Sequence, residues 1–559
     1  MNPSPDRRPF LLRFSLSVLS GLMLGFSFPP SPFGVLACAG LVPLLIVLAD
    51  VRTTRKALGY SYVAFVVFHL ITLNWTGGYA HGHDAYMMIA GAVTIVLHPL
   101  FYFIPIYLYL IVRRNLGDWP ALVALPLLWV SYEYSHTLSE WSFPWLTIGN
   151  SQTYNLPGIQ YISITGVFGL SLWILVLNVL LFVLYSRLAR EGRRQFSVSS
   201  AALALGILLV YAIPRVYGSF VLSEADTPRG ERSGSNAGQI TVGMIQPNLD
   251  PWDKWSVNGY QTVTSYLRMT DSLRQTACRA KPDLVLWPET AIPFFILTDA
   301  NRMSLQDLRS RIDSIGVPVL TGFPHAVFYA DSTQAPPSAK RSRMTGLRYD
   351  TFNAAALIQP GVDEIPWYGK MKMVPFAERV PYADMFHFGD FLRWDVGIGG
   401  WQIGKDSTVF VERRTGARFS TVICYESTYP AFVSDFVRKG AEFIAIITID
   451  SWWAKMSGAY QHKQYAILRA VENRRWIARC AVGGISCFID PYGRVYDETE
   501  LLSGAVLCKT IGRSTELTPY TRYGDWLAQA CCWLAGAFCA AALGQRFLTK
   551  NRERQWQST

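Results

Sequence analysis

Long apolar runs separated by short polar turns occupy the first 220 residues of the chain, and one more run lies close to its end. A helix needs about 20 predominantly apolar residues to cross the hydrocarbon core of a bilayer. Pro99 and Pro105 fall inside the fourth run, so a kink is expected there. The pattern predicts about eight membrane-spanning helices, at residues 9–28, 33–49, 57–74, 85–112, 119–137, 161–187, 200–218 and 525–547.

A different pattern follows residues 221–238, which are rich in Gly, Ser and charge and are typical of a linker. Between residues 239 and 512, short apolar runs alternate with amphipathic stretches, which indicates sheets covered by helices. The predicted strands are 240–246, 284–287, 317–322, 352–359, 419–424, 443–448 and 481–489. The predicted helices lie near 257–279, 302–314, 429–438 and 460–476.

Composition and charge agree with a membrane protein. Of 559 residues, 50% are hydrophobic and only 16% are charged, against roughly a quarter charged in a typical soluble domain. Lys and Arg cluster in alternate turns, whereas the turns at 29–32, 75–84 and 138–160 contain neither. Under the positive-inside rule both termini are cytoplasmic and residues 239–512 lie on the opposite side. The net charge of +11 is therefore mainly a topology signal, and no nucleic-acid partner is expected.

The nine cysteines form no C-x-x-C pair, and Cys531 and Cys532 are adjacent inside an apolar run. This spacing indicates neither a disulfide framework nor a zinc module, and no metal is expected.

Three places in the second region combine a strand end with a reactive side chain. Glu289 follows a buried strand, Lys370 lies in the segment 367–378, and Cys424 lies between a strand and a predicted helix. A cysteine at a helix N-terminus gains thiolate stabilisation from the helix dipole. Taken singly, each of these residues is more often structural than catalytic. Their joint occurrence, in this order and with these neighbours, favours nucleophilic catalysis.

The neighbouring residues carry a resemblance. The segments W-P-E-T at 287–290, Y-x-K-x-x-x-V-P-F-x-E at 368–378 and I-C-Y-E at 423–426 are similar to the Glu-Lys-Cys signatures of the nitrilase superfamily. Preceded by many membrane spans, they resemble the apolipoprotein N-acyltransferase family. The segments 143–152, 245–248 and 517–526 also resemble this family, so the likeness covers nearly the whole chain.

The resemblance implies a fold and a location. The fold is a multi-span α-helical membrane domain plus an α/β nitrilase-like domain, an αββα sandwich, outside the cytoplasm. The expected borders are 1–220 for the membrane domain, 239–512 for the catalytic domain, 525–547 for the last span and 548–559 for a cytoplasmic tail. The location is the bacterial inner membrane, with the catalytic domain in the periplasm.

The resemblance also implies residue roles. Glu289 is the general base, Lys370 the oxyanion-side cation and Cys424 the nucleophile. The positions that support the active site or bind the substrate in this family are matched by Glu378, Tyr425, Glu426 and Trp255.

Three aromatic residues beside these motifs are candidates for substrate binding, namely Phe294, Phe295 and Trp452. Apolar stretches at 293–297, 385–394 and 452–453 suit arms that touch a bilayer, and one of them would be a mobile lid. The alternative is that these stretches belong to the core of the domain.

The sequence departs from the family at three places. The glycine of the P-F-G-E segment is Ala377, an asparagine is replaced by Ile449, and a later Asn-containing turn reads A-V-G-G at 481–484. None of them belongs to the proposed triad.

The reaction implied by the resemblance has two halves. A phospholipid, with phosphatidylethanolamine as the implied donor, acylates Cys424 to a thioester and leaves as a lysophospholipid. The α-amino group of the N-terminal diacylglyceryl-cysteine of an apolipoprotein then takes the acyl chain. The expected kinetics are ping-pong, with no cofactor and a monomeric enzyme embedded in the bilayer.

Other functions remain open from the sequence. A membrane-tethered nitrilase-type amidase would use the same three residues, with water in place of the amine. An inactive scaffold would bind lipoproteins without acylating them. Transport is disfavoured because the predicted spans contain few ionisable residues.

Overall fold

The computed structural model describes residues 9–78, 84–191, 197–227, 235–253, 259–278, 281–336, 339–342, 345–382, 385 and 400–558. The chain divides into two compact units. The first comprises Met1–Leu138, Pro144–Leu222 and Asp525–Thr559, and the second comprises Ser139–Phe143 and Ser223–Gly524.

The first unit is built from helices in its described residues. They are α1 (Phe10–Gly25), α2 (Ala37–Gly40), α3 (Val42–Asp50), α4 (Thr54–Thr72), α5 (Ala85–Leu97), α6 (Phe103–Leu116), α7 (Asp118–His136), α8 (Leu156–Ile159), α9 (Ile162–Thr165), α10 (Val167–Glu191), α11 (Val198–Ala225) and a last helix at Trp526–Ser558. Four helical segments are long and apolar enough to cross a membrane, namely Ala85–Leu116, Val167–Arg190, Val198–Ala225 and Trp526–Asn551.

Helices coincide with all eight predicted spans, with three local differences. The second predicted span consists of the short helices α2 and α3. The sixth begins at Val167 rather than at residue 161, because Gly166 has a left-handed φ of +67° and separates α9 from α10. The expected break in the fourth is present as a 3₁₀ turn at His98–Tyr102, where Pro99 removes a backbone donor.

The second unit contains two mixed sheets. Its strands are β1 (Gln239–Gln246), β2 (Leu284–Leu286), β3 (Val319–Tyr329), β4 (Lys340–Arg341), β5 (Arg348–Ile358), β6 (Trp367–Gly369), β7 (Phe410–Val411), β8 (Arg418–Ile423), β9 (Phe443–Thr448), β10 (Ile477–Ala481), β11 (Cys487–Ile489), β12 (Val495–Tyr496) and β13 (Ala505–Gly512). One sheet has the order β13-β1-β2-β3-β5-β4, with β6 also paired to β5, and the other has the order β12-β11-β10-β9-β8-β7.

Helices cover the outer faces of both sheets. They are α12 (Gly259–Thr276), α13 (Arg302–Ile315), α14 (Pro430–Arg438), α15 (Ser457–Asn473) and the short α16 (Pro519–Tyr523). Tyr266 of α12 and Ile312 of α13 pack with Trp287 in the core on the first sheet, while α14 and α15 lie on the second. The thiol of Cys480 on β10 donates to backbone oxygens of β1 and β2, so the two sheets face each other. This arrangement is the predicted αββα sandwich.

Two predictions about this unit are wrong. The apolar run 481–489 is not one strand, because β10 ends at Ala481 and an intervening loop leads to β11. The second wrong prediction concerns the cysteines, because a disulfide joins Cys278 to Cys508. Cys508 pairs with Gly243 across β13 and β1, close to the end of α12, and cysteines 230 residues apart in sequence cannot be paired from spacing alone.

Candidate active site

Glu289 follows β2 and is held by hydrogen bonds to both carboxylate oxygens. Its Oε1 accepts from Asn353 Nδ2 at 2.8 Å, and its Oε2 accepts from the backbone N–H of Ile449 at 3.0 Å. The side chain is buried. Glu289 can take this position because residue 322 is a glycine. A Cβ on residue 322 would lie 2.7 Å from the Cα of Glu289. The carboxylate therefore has a fixed orientation in a dry environment.

Lys370 follows β6 and is fully buried. Its Nζ lies 2.7 Å from Oε1 of Glu378 and 3.6 Å from Oε1 of Glu289. Burial by itself lowers the pKa of Lys370, but the two carboxylates outweigh it and raise this pKa above its ordinary value. Lys370 is therefore a permanent cation between two acidic side chains.

Cys424 begins a short 3₁₀ turn, Cys424–Thr428, directly after β8. Its φ of +52° is left-handed, a conformation that costs a non-glycine residue roughly 1–3 kcal/mol. Burial and the carboxylate of Glu289 raise the pKa of its thiol, while Lys370 opposes them. The structure thus brings Glu289, Lys370 and Cys424 together, and the raised pKa means that the thiol needs a base to react at neutral pH.

Glu426 holds the segments that carry Lys370 and Cys424. Its Oε1 accepts from the Tyr368 hydroxyl and the Met371 N–H, both at 2.6 Å, and its Oε2 accepts from the Ile423 N–H at 2.8 Å. Burial raises the pKa of Glu426 to about 7, and these hydrogen bonds oppose a larger rise. The side chain fixes the backbone on either side of the site rather than facing the reacting atoms.

Tyr425 is buried, and its hydroxyl donates to the carbonyl of Ser142 at 3.0 Å. Its ring stacks on Phe143 with centroids 6.2 Å apart. The segment Ser139–Phe143 was predicted as part of a turn of the membrane domain. It belongs instead to the second unit.

Two departures from the family pattern have a structural explanation. Ile449 contributes its backbone N–H to Glu289, a bond that any residue except proline supplies. Ala377 does not need the freedom of glycine, because the left-handed residue of this turn is Phe376, with a φ of +65°.

Asn353 on β5 was missed by the sequence analysis. Its side-chain Nδ2 donates to Glu289 and Glu378. Its backbone carbonyl oxygen accepts from the backbone N–H of Lys370 at 2.8 Å. No reactive side chain marks this asparagine, and its neighbours in the strand read as ordinary apolar core. Only the pairing of β5 with β6 reveals its position.

The four candidate substrate-binding residues are placed differently. Phe294 is half-buried and packs against the core on the first sheet, whereas Phe295 is half-buried without belonging to that core. Trp452 is half-buried, and its ring lies at a right angle to that of Trp252, with centroids 5.1 Å apart. Trp255 lies outside the described residues, as does most of the aromatic stretch at 385–394. No cluster of metal-binding side chains is present among the residues that the structure describes.

Comparisons with known proteins agree with this geometry. The family model described as the apolipoprotein N-acyltransferase N-terminal domain matches residues 20–180, and the carbon-nitrogen hydrolase model matches residues 241–515. A protein of Chlorobaculum tepidum named apolipoprotein N-acyltransferase is 33% identical over 539 residues, which cover 95% of this chain and 96% of that protein. The chain belongs to the apolipoprotein N-acyltransferase family.

Another member of the family, from Geobacter metallireducens, is 31% identical over 548 residues, which cover 97% of this chain and 96% of that protein. Among solved structures, Saccharomyces cerevisiae Nit3, a member of branch 10 of the nitrilase superfamily, is similar with 15% identity and a TM-score of 0.35. The match covers 49% of this chain and 90% of that one. The predicted family and fold class are confirmed, and this member of the apolipoprotein N-acyltransferase family is an acyltransferase with membrane-type helices.

Proposed function

We propose that this chain transfers a fatty acyl group from a membrane phospholipid to the α-amino group of the N-terminal diacylglyceryl-cysteine of apolipoproteins. The observation that carries the proposal is the convergence of Glu289, Lys370 and Cys424 in a chain that matches this family over nearly its whole length. In the proposed organisation residues 1–220 and 525–547 hold the enzyme in the membrane and residues 239–512 catalyse, with Glu378, Tyr425 and Glu426 supporting the site.

In the first half-reaction, Glu289 removes the proton of Cys424 as its sulfur attacks the ester carbonyl of the phospholipid. The carbonyl oxygen becomes an oxyanion, which Lys370 and the backbone N–H after Cys424 stabilise. When the tetrahedral intermediate collapses, the C–O bond of the ester breaks and Glu289 returns the proton to the departing lysophospholipid oxygen. The acyl chain remains as a thioester on Cys424.

In the second half-reaction, the amino group of the apolipoprotein attacks the thioester carbonyl. Glu289 takes a proton from the attacking nitrogen, the C–S bond breaks, and the proton returns to the sulfur. A thioester reacts with amines more readily than an oxygen ester does, so passing the acyl chain through Cys424 makes amide formation faster. This chemistry uses groups of the protein chain itself, so we expect no cofactor and ping-pong kinetics in a monomer.

The proposed site of the reaction is the outer face of the bacterial inner membrane, with both termini in the cytoplasm. The distribution of Lys and Arg supports this topology. The Cys278–Cys508 disulfide supports it independently, because disulfides persist in the periplasm and are rare in the cytosol.

The disulfide gives a test of this topology. In intact cells treated with a maleimide-polyethylene glycol, Cys278 and Cys508 are expected to stay unlabelled until a reductant is added. A Cys278→Ser variant should expose Cys508 to labelling without reductant. Labelling of both cysteines in the untreated wild type would contradict a periplasmic catalytic domain.

The proposed function is tested by the intact mass of the detergent-purified protein after incubation with phosphatidylethanolamine vesicles. We expect an added mass of one fatty acyl group, which disappears when a diacylglyceryl-cysteine peptide is supplied and an N-acylated peptide forms. The Cys424→Ala variant is the control and should carry no adduct. Loss of the adduct in water without peptide acylation would favour the amidase, and a folded wild type without any adduct would favour the lipoprotein-binding scaffold.

A further inference from the structure

A chain of buried polar side chains leads to the backbone carbonyl of Cys424. His462 of α15, Asp450 after β9 and Arg479 of β10 are all fully buried. His462 Nδ1 lies 2.8 Å from Asp450 Oδ1, and Arg479 Nη2 donates to Asp450 Oδ2 at 2.6 Å. Burial by itself raises the pKa of Asp450, but Arg479 and His462 hold it well below its usual range. The aspartate is therefore a carboxylate at neutral pH.

The other nitrogen of His462 reaches the backbone of the nucleophile. Nε2 lies 3.0 Å from the carbonyl oxygen of Cys424 and 2.8 Å from Oγ of Ser427. Ser427 Oγ donates to the same carbonyl at 2.9 Å. The carbonyl of Cys424 thus has two donors, both from side chains that the proposed triad does not include.

The partners of the two ring nitrogens indicate how the imidazole is held. Asp450 Oδ1 and the Cys424 carbonyl are acceptors only, and each faces one nitrogen of the ring, while Arg479 Nη2 also lies 3.1 Å from Nδ1. A proton on Nε2 lets the ring donate to the Cys424 carbonyl, and the orientation of this peptide depends on that hydrogen bond.

The carbonyl of Cys424 shares its peptide group with the N–H of Tyr425. In a trans peptide the C=O and the N–H point in opposite directions. Holding the carbonyl on His462 and Ser427 therefore aims the Tyr425 N–H the other way, and it also helps to maintain the left-handed φ of Cys424. This N–H is the backbone donor that the proposed mechanism uses for the oxyanion.

We propose that His462, donating from Nε2, is a positioning residue that orients the Cys424–Tyr425 peptide so that the Tyr425 N–H stabilises the oxyanion. The proposal rests on the proposed nucleophilic role of Cys424, and it holds for any acyl donor. Gly484 gives it further support, because a Cβ there would lie 2.5 Å from Asp450 Oδ2, so this glycine makes room for the carboxylate that orients His462.

The test uses the pre-steady-state release of p-nitrophenol from a short p-nitrophenyl ester by the full-length protein in detergent. This ester needs Cys424 and the oxyanion donors but neither a phospholipid nor a lipoprotein. The His462→Leu variant should acylate about 10- to 100-fold more slowly with an unchanged KM, less than the loss expected for removing an oxyanion donor itself. In His462→Gln, the side-chain amide replaces the Nε2 donor, and the rate should recover to within about threefold of the wild type.

Recovery of the rate in His462→Gln with an unchanged KM separates orientation from mere packing. Ser427→Ala removes one of the two donors to the Cys424 carbonyl but leaves the imidazole, so it should acylate more slowly than the wild type. His325→Gln changes a half-buried histidine on β3, is the matched control and should keep the wild-type rate.

The outcomes are distinguishable even if His462→Leu does not fold. A folded His462→Gln whose acylation rate does not recover, or a folded His462→Leu that acylates at the wild-type rate, would overturn the proposal. Normal ester turnover without transfer from phospholipid to peptide would instead overturn the proposed function and leave the role of His462 supported.

Discussion

Replacing Lys370 by methionine is expected to slow acyl-enzyme formation by at least about 10³-fold and to destabilise the catalytic unit by about 3–5 kcal/mol. The ammonium is fully buried between Glu378 and Glu289, and without it two carboxylates would face each other in a dry site. The rate is measured by lysophospholipid release, and the free energy of unfolding by urea titration in detergent.

A double variant separates the two effects of this lysine. In Lys370→Met with Glu378→Gln, one of the two carboxylates is neutral, so most of the stability should return while the rate stays low. Lys372→Met is the matched control, since Lys372 is half-buried over the ring of Tyr429 and does not belong to the proposed triad. A Lys370→Met enzyme that keeps a tenth of the wild-type rate would show that the oxyanion does not depend on this cation.

The Glu289→Gln variant is expected to acylate about 10³- to 10⁴-fold more slowly at pH 7, because the base that deprotonates Cys424 is lost. Since the pKa of this thiol is raised above its ordinary value, the thiolate fraction at neutral pH is small. It grows about tenfold per pH unit below that pKa, so the variant should regain activity steadily between about pH 7 and 9. The wild type should show no such rise.

Glu378→Gln is the control for the identity of the base. Glu378 also contacts Lys370, yet the proposed mechanism gives it no proton to carry. Its variant should lose less activity than Glu289→Gln and should show no alkaline recovery. If Glu378→Gln recovers at high pH and Glu289→Gln does not, the two carboxylates have to exchange roles.

Several strands of the second unit were predictable because local patterns determine them, whereas β6, which precedes Lys370, has no counterpart among the predicted strands. The strand 443–448 was predicted with the bounds of β9, and 240–246 and 419–424 differ from β1 and β8 by one residue. Each is a short apolar run bounded by polar or turn residues, a signal that lies within the strand itself.

The surroundings of the site were not predictable in the same way, because they depend on contacts between distant segments. Asn353 acts through the pairing of β5 with β6, and Ser142 supports Tyr425 from 283 residues away in sequence. The Cys278–Cys508 disulfide likewise joins two residues that are 230 positions apart in the sequence. The sequence also does not show that Ile449 contacts Glu289 through its backbone N–H rather than through its side chain.

The position of Ser139–Phe143 bears on how such an enzyme can evolve. The catalytic unit is discontinuous in the gene, since five residues encoded between α7 and α8 supply the acceptor for the Tyr425 hydroxyl and a partner for that of Tyr429. Recombination near residues 221–238 would replace the nitrilase-like part of the gene but not the codons of Ser139–Phe143. The two halves of the gene are therefore constrained to change together, and an exchanged catalytic module would bring a matching loop with it or lose the bonds beside its nucleophile.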